Sequence, residues 1–402
     1  MVREDIRRYV EGSILPRYDS YDKAHSRTHI LSVIKQSMEL YTKLSSRGMQ
    51  GPDGLPLSED MVYVIASYHD IGVCEGREFH HIVSGRMLEE DSMLREWFTP
   101  EQIRIMKEAV EDHRSSNKSW PRSIYGRIVS EADKVIDFDT VFSRAILYAI
   151  ANYPDYTDEE IFQKSYGHLQ NKYGDGGYLR LQFSDSPNAL RLQDLREKLR
   201  IPELMRREFS LFETHPLEPF IPERARVLLL GSFPPPRARW SMDFFYPNFQ
   251  NDMWRIMGLL FYGDKAHFIV PGQKRFDYDR VVDFCRREGI ALYDAAYMVK
   301  RLKGNASDNF LKIIEPTDIT ALLGRIPSCT AIASTGGKSA EQIASILGTD
   351  VPEVGGSVSF TAPGGREVAF YRMPSSSRAY PLPLQAKAEI YSSFLKSVGF
   401  QF

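Results

Sequence analysis

Residues 214–222 read Thr-His-Pro-Leu-Glu-Pro-Phe-Ile-Pro. Each proline removes a backbone donor and fixes φ, so no helix runs through this segment. The hydrophobic pattern changes across it. Before it, apolar residues recur at three and four, as in Ile30, Val33, Ile34 and Met38, and again Ile103, Met106 and Val110, the period of one helix face. After it come short apolar runs at 226–230 (closed by Gly231), 290–293, 331–333 and 368–371, with helical stretches at 279–288 and 338–347 between them. The pattern predicts a multidomain chain: an all-α bundle over 1–212, a linker over 213–222, and an α/β domain with a central, mostly parallel sheet over 223–402. Within the bundle, turns are expected at 48–56 and 173–177, and Thr99-Pro100 reads as the cap and first position of a helix.

Composition narrows the classes. At 402 residues, 43% hydrophobic and 26% charged, the chain has enough apolar mass for real cores, which excludes disorder as its main state. The apolar stretches fall short of the ~18 residues a membrane span needs, and the opening Met-Val-Arg-Glu-Asp lacks a signal peptide's apolar segment, so no membrane partner and a cytoplasmic location are expected. Cys74, Cys285 and Cys329 give neither a disulfide framework nor paired metal-ligand spacing. Net charge is −2, but from Glu213 onward 22 Lys+Arg face 19 Asp+Glu, against 29 and 34 before it. That balance permits a nucleic-acid-facing second half, since binding a few phosphates needs only a local cluster.

Seven of the nine histidines lie before residue 213. The informative segments are His25-Ser-Arg-Thr-His29, Tyr68-His69-Asp70-Ile71-Gly72, His80-His81, Glu111-Asp112-His113 and Glu131-Ala132-Asp133-Lys134. His25 and His29 are spaced to share a helix face. Gly72 would let the chain turn after His69-Asp70 and free both side chains to converge. Imidazoles and carboxylates from separate helices are what a divalent cation needs inside a bundle. Any one of these histidines alone reads equally well as a satisfied core or surface residue; the ordered set favours ligation.

This set resembles the HD-domain superfamily of metal-dependent phosphohydrolases over roughly residues 1–170. By motif position, the resemblance implies His29 as the first ligand, His69 and Asp70 as the pair that names the family, and Asp133 as the last. His81 and His113 match the second site of two-metal members, with His80 competing. The resemblance further implies phosphoester hydrolysis with one or two divalent ions (Mn, Fe, Mg, Ni or Zn) and a phosphorylated small-molecule substrate, a nucleotide above all. Such an ion lowers the pKa of a bound water, and Asp70 would bridge or orient the nucleophile. Arg27, Arg77 and Lys134 are candidate phosphate contacts.

In the second half, the run ending in Gly231 leads into Ser232-Phe233-Pro234-Pro235, a tight loop at a strand's carboxyl end, where α/β sheets bind ligands. The segment Phe244-Phe-Tyr246-Pro-Asn-Phe-Gln-Asn251-Asp-Met-Trp254 interleaves aromatics with amides, residue types that stack on bases and read their edges. Met373-Pro-Ser375-Ser376-Ser377-Arg378 follows another strand and offers an Arg for phosphate. Singly, each is an ordinary aromatic cluster or turn.

Together with Gly289-Ile-Ala-Leu-Tyr-Asp294, they resemble the uracil-DNA glycosylase superfamily, closest to its mismatch-specific and hypoxanthine branches, over roughly residues 222–402. The resemblance implies metal-free excision of a deaminated base, uracil or hypoxanthine, flipped out of DNA. It makes Tyr246 the stacking platform, the backbone around Gly231, Ser232 and Phe233 the stabiliser of the leaving base, Asn251 the catalytic residue positioning water, and Ser375, Ser376, Ser377 and Arg378 the phosphodiester clamp. Phe233 and Met373 depart from the pattern, standing where many members carry a polar residue and a histidine. Three readings follow: a bifunctional hydrolase, a phosphohydrolase with a non-cleaving nucleic-acid or nucleobase-binding module, and a non-enzymatic interaction protein with two degenerate sites.

Overall fold

The computed structural model describes residues 1–21, 25–114, 119–303 and 308–402. They divide into two compact units, Met1–Met205 and Arg206–Phe402.

The first unit is built on α1 (Glu4–Tyr9), α2 (Arg27–Ser45), α3 (Glu59–Tyr68), α4 (His80–Glu90), α5 (Pro100–Glu111), α6 (Ile124–Ala132), α7 (Phe138–Asn152), α8 (Asp158–Tyr173) and α9 (Pro187–Leu199). The axis of the bundle is α3, in which every residue from Met61 to Tyr68 is buried. A helix apolar on all sides has to be surrounded, and α2, α5 and α6 pack around it. Each fully buried Val, Ile or Met there contributes roughly 1.5–3 kcal/mol. Polar caps fix where the helices begin: Ser58 accepts from Met61 N at α3, and Thr99 with Gln102 forms a reciprocal capping box at α5, with Pro100 in the first turn. The expected break after Tyr173 is where α8 ends.

Helix α10 (Pro202–Phe209) spans the division. The second unit follows as β1 (Phe212–Thr214), β2 (Val227–Gly231), α11 (Met253–Tyr262), α12 (Tyr278–Glu288), β3 (Ile290–Asp294), β4 (Ala296–Arg301), β5 (Leu311–Pro316), α13 (Ile319–Arg325), β6 (Ala331–Ser334), α14 (Gly337–Leu347), β7 (Ser357–Ala362), β8 (Arg366–Arg372) and α15 (Leu384–Ser397). Its main sheet has the order β3-β2-β6-β8-β7, parallel throughout except for the antiparallel edge strand β7. All residues of β2 and β3 are buried, as parallel strands covered on both faces must be. Their carboxyl ends, Gly231 and Asp294, lie side by side in register.

The segment 213–222 is not a free connector. β1 pairs antiparallel with β4 in a three-stranded sheet, β1-β4-β5, and Phe220 exchanges backbone hydrogen bonds with Leu292 at 3.0 and 2.9 Å. The prolines exclude helix, but extended backbone with proline at unpaired positions still borders a sheet. No helix among the described residues is long and apolar enough to cross a membrane.

Candidate functional site

In the first unit the candidate ligands stand at helix ends. His29 lies in the first turn of α2, His69 caps the C-terminus of α3 with Asp70 next, His80 opens α4, His113 follows α5, and Asp133 caps α6. The C-termini of α3, α5 and α6 carry the negative ends of their helix dipoles, a field that favours a cation. Gly72 brings α4 into place, though not by turning the chain: a Cβ there would stand 2.4 Å from the His80 carbonyl oxygen and 2.5 Å from Ser84 N. Gly72 N donates to Ser84 Oγ at 2.8 Å, so the missing side chain lets the start of α4 approach Asp70.

Asp70 divides its two oxygens between two groups. Oδ2 is 3.5 Å from His29 Nε2 and 3.2 Å from His69 Nε2, while Asp133 Oδ1 is 3.1 Å from His29. Oδ1 is 3.3 Å from both His80 Nε2 and His113 Nε2, which are 3.2 Å from each other. Two atoms ligating one ion at about 2.1 Å lie about 3.0–3.4 Å apart at octahedral to tetrahedral angles, and the second group fits that spacing on all three sides.

The tautomers agree. His69, His80 and His113 each place Nδ1 at 2.6–2.8 Å from the carbonyl oxygen three residues back. A carbonyl only accepts, so Nδ1 carries the proton and Nε2 presents a lone pair, as in metal-ligating histidines. His69 Nε2 is buried with no hydrogen-bond donor to satisfy it. The facing lone pairs of His80 and His113 repel unless a proton or cation joins them. The donor set therefore fits one or two divalent ions of the kind that take mixed nitrogen and oxygen ligands.

Electrostatics reflect the carboxylates. Burial disfavours charge on His29, but hydrogen bonds to Asp133 and Asp70 outweigh it and push His29 up to about 9. Burial likewise opposes ionisation of Asp70, yet in the absence of a cation the positive charge carried by the neighbouring imidazoles, His69 first, holds it well below the usual carboxylate range.

The ligand expectations need two corrections. His81 lies outside both groups and His80 takes the expected place; adjacent helical residues point about 100° apart, so only one can face Asp70. Burial pulls His81 down to about 4, with the neighbouring His113 and His80 acting in the same direction. His25 precedes α2, whose N-cap is Ser26, so it shares no helix face with His29 and instead lies beside His80, ring centroids 6.2 Å apart.

The two groups open into a cavity of about 840 Å³ lined by His25, His29, Asp70, His80, His113 and Asp133 on one side, and by Arg114, Arg144, Lys172, Arg180, Trp120 and Tyr178 elsewhere. Of the three candidate phosphate contacts, Lys134 lines it, with Nζ donating to Ser130 O and Oγ, and burial lowers its pKa. Arg27 pairs with Asp19.

In the second unit, the expected residues gather at the carboxyl ends of the parallel strands. Tyr246 has a left-handed backbone (φ 50°) and its hydroxyl is 3.2 Å from Thr335 Oγ1, just past β6. A Cβ on Gly231 would lie 2.2 Å from Asp294 Oδ1, so only glycine lets that carboxylate stand across the end of β2. Asn251 bridges Ser377, and Asp252 N donates to Ser376 O at 2.8 Å, which brings the amide-rich and serine-rich segments together. Several groups are already engaged: Asn251 Oδ1 accepts from Met253 N, Ser375 Oγ from Ser377 N, and Ser377 Oγ from Ala379 N. Arg378 turns to Asp252 Oδ1 at 3.0 Å and Gln250 Oε1 at 3.1 Å. Phe233 packs against Ala296, Val299 and Leu311. The sequence reading assigned no role to Asp294 or His215. His215 Nε2 meets Asp294 Oδ2 at 2.8 Å and its Nδ1 lies 2.8 Å from Leu217 O. An acid directly after an apolar strand was the available signal for Asp294; His215 lay hidden in the proline-rich segment.

Several known proteins resemble this chain. The solution structure of a candidate uracil DNA glycosylase from Methanosarcina acetivorans aligns at 19% identity and TM-score 0.32, covering 46% of this chain and 98% of that one. The crystal structure of a predicted HD superfamily hydrolase from an uncultured Thermotogales bacterium aligns at 18% identity and TM-score 0.26, covering 41% and 84%. No curated protein matches. Residues 27–136 match the HD domain family, an interval that contains His29, His69, Asp70, His80, His113 and Asp133. Both candidate ligand groups thus lie within a segment that is similar to the HD domain family.

Proposed function

We propose that the first unit is a metal-dependent phosphohydrolase acting on a phosphorylated small molecule, a nucleotide best of all. The carrying observation is Asp70, whose two oxygens face two separate sets of histidine lone pairs. His29, His69, Asp70 and Asp133, or Asp70, His80 and His113, would hold a divalent cation, which would supply Lewis acidity and lower the pKa of water. Asp70 would orient the attacking water as a hydrogen-bond acceptor, and Asp133, open to the cavity, would accept a proton. Arg114, Arg144, Lys172 and Arg180 suit phosphate oxygens, and Trp120 and Tyr178 offer rings against which a base stacks. The test is phosphate release from a nucleotide panel with and without Mn or Fe; no release with any metal would overturn the reading.

For the second unit we propose recognition of a deaminated base in DNA, with N-glycosidic hydrolysis. Water adds to the sugar C1′ and gives a proton to the Asp294 carboxylate, the bond to the base nitrogen breaks with its electron pair leaving on the base, and the base then takes up a proton. Tyr246 would stack on the extruded base, and backbone N–H groups near Ser232 would stabilise its negative charge. Asp294 supplies the carboxylate missing at Phe233, with His215 setting its orientation. The engagement of Asn251 and Arg378 within the protein supports a second reading, a module that binds without cleaving. Oligonucleotides containing uracil, hypoxanthine or xanthine separate the two: strand scission after alkali means excision, and retention of intact DNA means binding alone.

A further inference from the structure

A second cavity, of about 390 Å³, lies in the second unit between the start of α11, the loop after it and the start of α15, and is lined by Asp252, Arg255, Lys265, Arg378 and Lys387 among others. Three cations converge there on one carboxylate. Arg378 Nε is 3.0 Å, Lys387 Nζ 3.4 Å and Arg255 Nη1 3.8 Å from the Asp252 oxygens. Two of the three are withdrawn from water: Lys387 is 1% and Arg255 6% exposed. Buried charge is expensive unless matched by opposite charge. Here one carboxylate offsets only one of three cations, and Lys265 on the rim adds a fourth.

Neighbouring dipoles compensate in part. Lys387 donates to Ser377 O at 2.7 Å, Arg255 to the carbonyls of Phe249 and Asn251 at 2.9 Å each, and its guanidinium lies over the Phe249 ring at 4.5 Å. Carbonyls and rings stabilise a cation without neutralising it. Burial, then the like charge of Arg378, pulls Arg255 down to about 10, the direction expected where positive charge is in excess.

We propose that this cavity is an anion site that takes a phosphate group, with Arg255, Lys265, Arg378 and Lys387 around it. The phosphate would add the negative charge that Asp252 alone does not supply, and Arg378 would share its guanidinium between Asp252 and the ligand. The chemistry suits a phosphomonoester and a backbone phosphodiester alike. The site does not depend on whether the second unit excises a base, and its test involves no excision.

The experiment is hydrogen exchange on the full chain, treated with chelator so that the first unit binds no phosphate through a metal, at constant ionic strength. Inorganic phosphate should slow exchange in peptides spanning 250–268 and 376–388. Lys265→Glu and Arg378→Gln, both on partly or fully exposed side chains and compatible with folding, should each raise the phosphate concentration needed by about tenfold, the worth of one charge-assisted hydrogen bond. A nucleoside monophosphate and an oligonucleotide without terminal phosphate distinguish the sources. Protection by the first alone assigns a monoester site, and protection by the oligonucleotide assigns a backbone contact; either supports the proposal. Unaltered exchange with all three ligands would overturn it, as would protection that persists at the same concentrations in both variants.

Discussion

The HD cluster and the strand-end site of the second unit are both polar constellations at the ends of regular elements, but their hydrogen bonds go to different places. In the cluster, each of His69, His80 and His113 uses Nδ1 on its own backbone and leaves Nε2 aimed at Asp70. In the second unit, Asn251, Ser375 and Ser377 accept from nearby backbone N–H groups, and Arg378 donates to Asp252. The first arrangement leaves lone pairs that a proton or a cation can join; the second has its hydrogen bonds made internally and has to exchange them for ligand contacts. Unsatisfied lone pairs in a buried site are therefore the stronger sign of a missing ligand.

That contrast sets the size of the expected effects. Asp70→Ala removes the shared ligand of both groups and should abolish metal binding and phosphate release, a loss on the order of 10⁴-fold or more, checked by metal analysis and single-turnover assays. Gly72→Ala drives a methyl into the His80 carbonyl; it should destabilise the chain by about 1–3 kcal/mol through overpacking, read by denaturant titration, and lower metal content, read by elemental analysis. His80→Ala removes a direct ligand of the ion shared with His113 and should cost more in affinity than the about 10- to 100-fold that loss of an outer-shell partner costs, whereas His81→Ala leaves metal binding unchanged; equal losses in both would restore His81 as the ligand. In the second unit, Asp294→Asn should reduce excision at least 100-fold if its carboxylate orients water, while Asn251→Ala also loosens the start of α11 by roughly 1 kcal/mol.

The pH dependence runs in opposite directions with and without metal. In the metal-free chain, His29 lies near 9 against an ordinary 6.5, so its ion pairs contribute fully below pH 6.5 and are lost as pH rises through 9, on the order of a few kcal/mol. With a divalent ion present, the metal competes with that proton, and stability should rise over the same interval. Melting temperatures from pH 6 to 9.5, with chelator and with Mn, check both slopes.

Much of the fold is legible in the residue pattern alone. The helical period around Ile30 and Ile103 and the buried runs ending at Gly231 and Asp294 report directly on burial, which governs both elements. His29, His69, Asp70, His113 and Asp133 stand at motif positions in the sequence, and the fold brings them together in two groups. The choice between His80 and His81 could not be read, since it depends on the rotation of α4 against Gly72. The partnership of His215 with Asp294 was equally hidden: it joins residues 79 apart across a segment whose prolines suggested a linker. The small sheet β1-β4-β5 escaped because β1 has only three residues, β5 is half-buried over most of its length, and β4 ends in the buried cations Lys300 and Arg301, so no clear alternation marks them.

The most direct test of the central claim is metal content of the full chain beside Asp70→Asn and His80→Ala, measured by elemental analysis after loading with Mn or Fe. The geometry predicts up to two ions per chain, a drop to one in His80→Ala and near-complete loss in Asp70→Asn. Unchanged stoichiometry in the Asp70 variant would contradict the shared carboxylate and leave the histidines as structural residues.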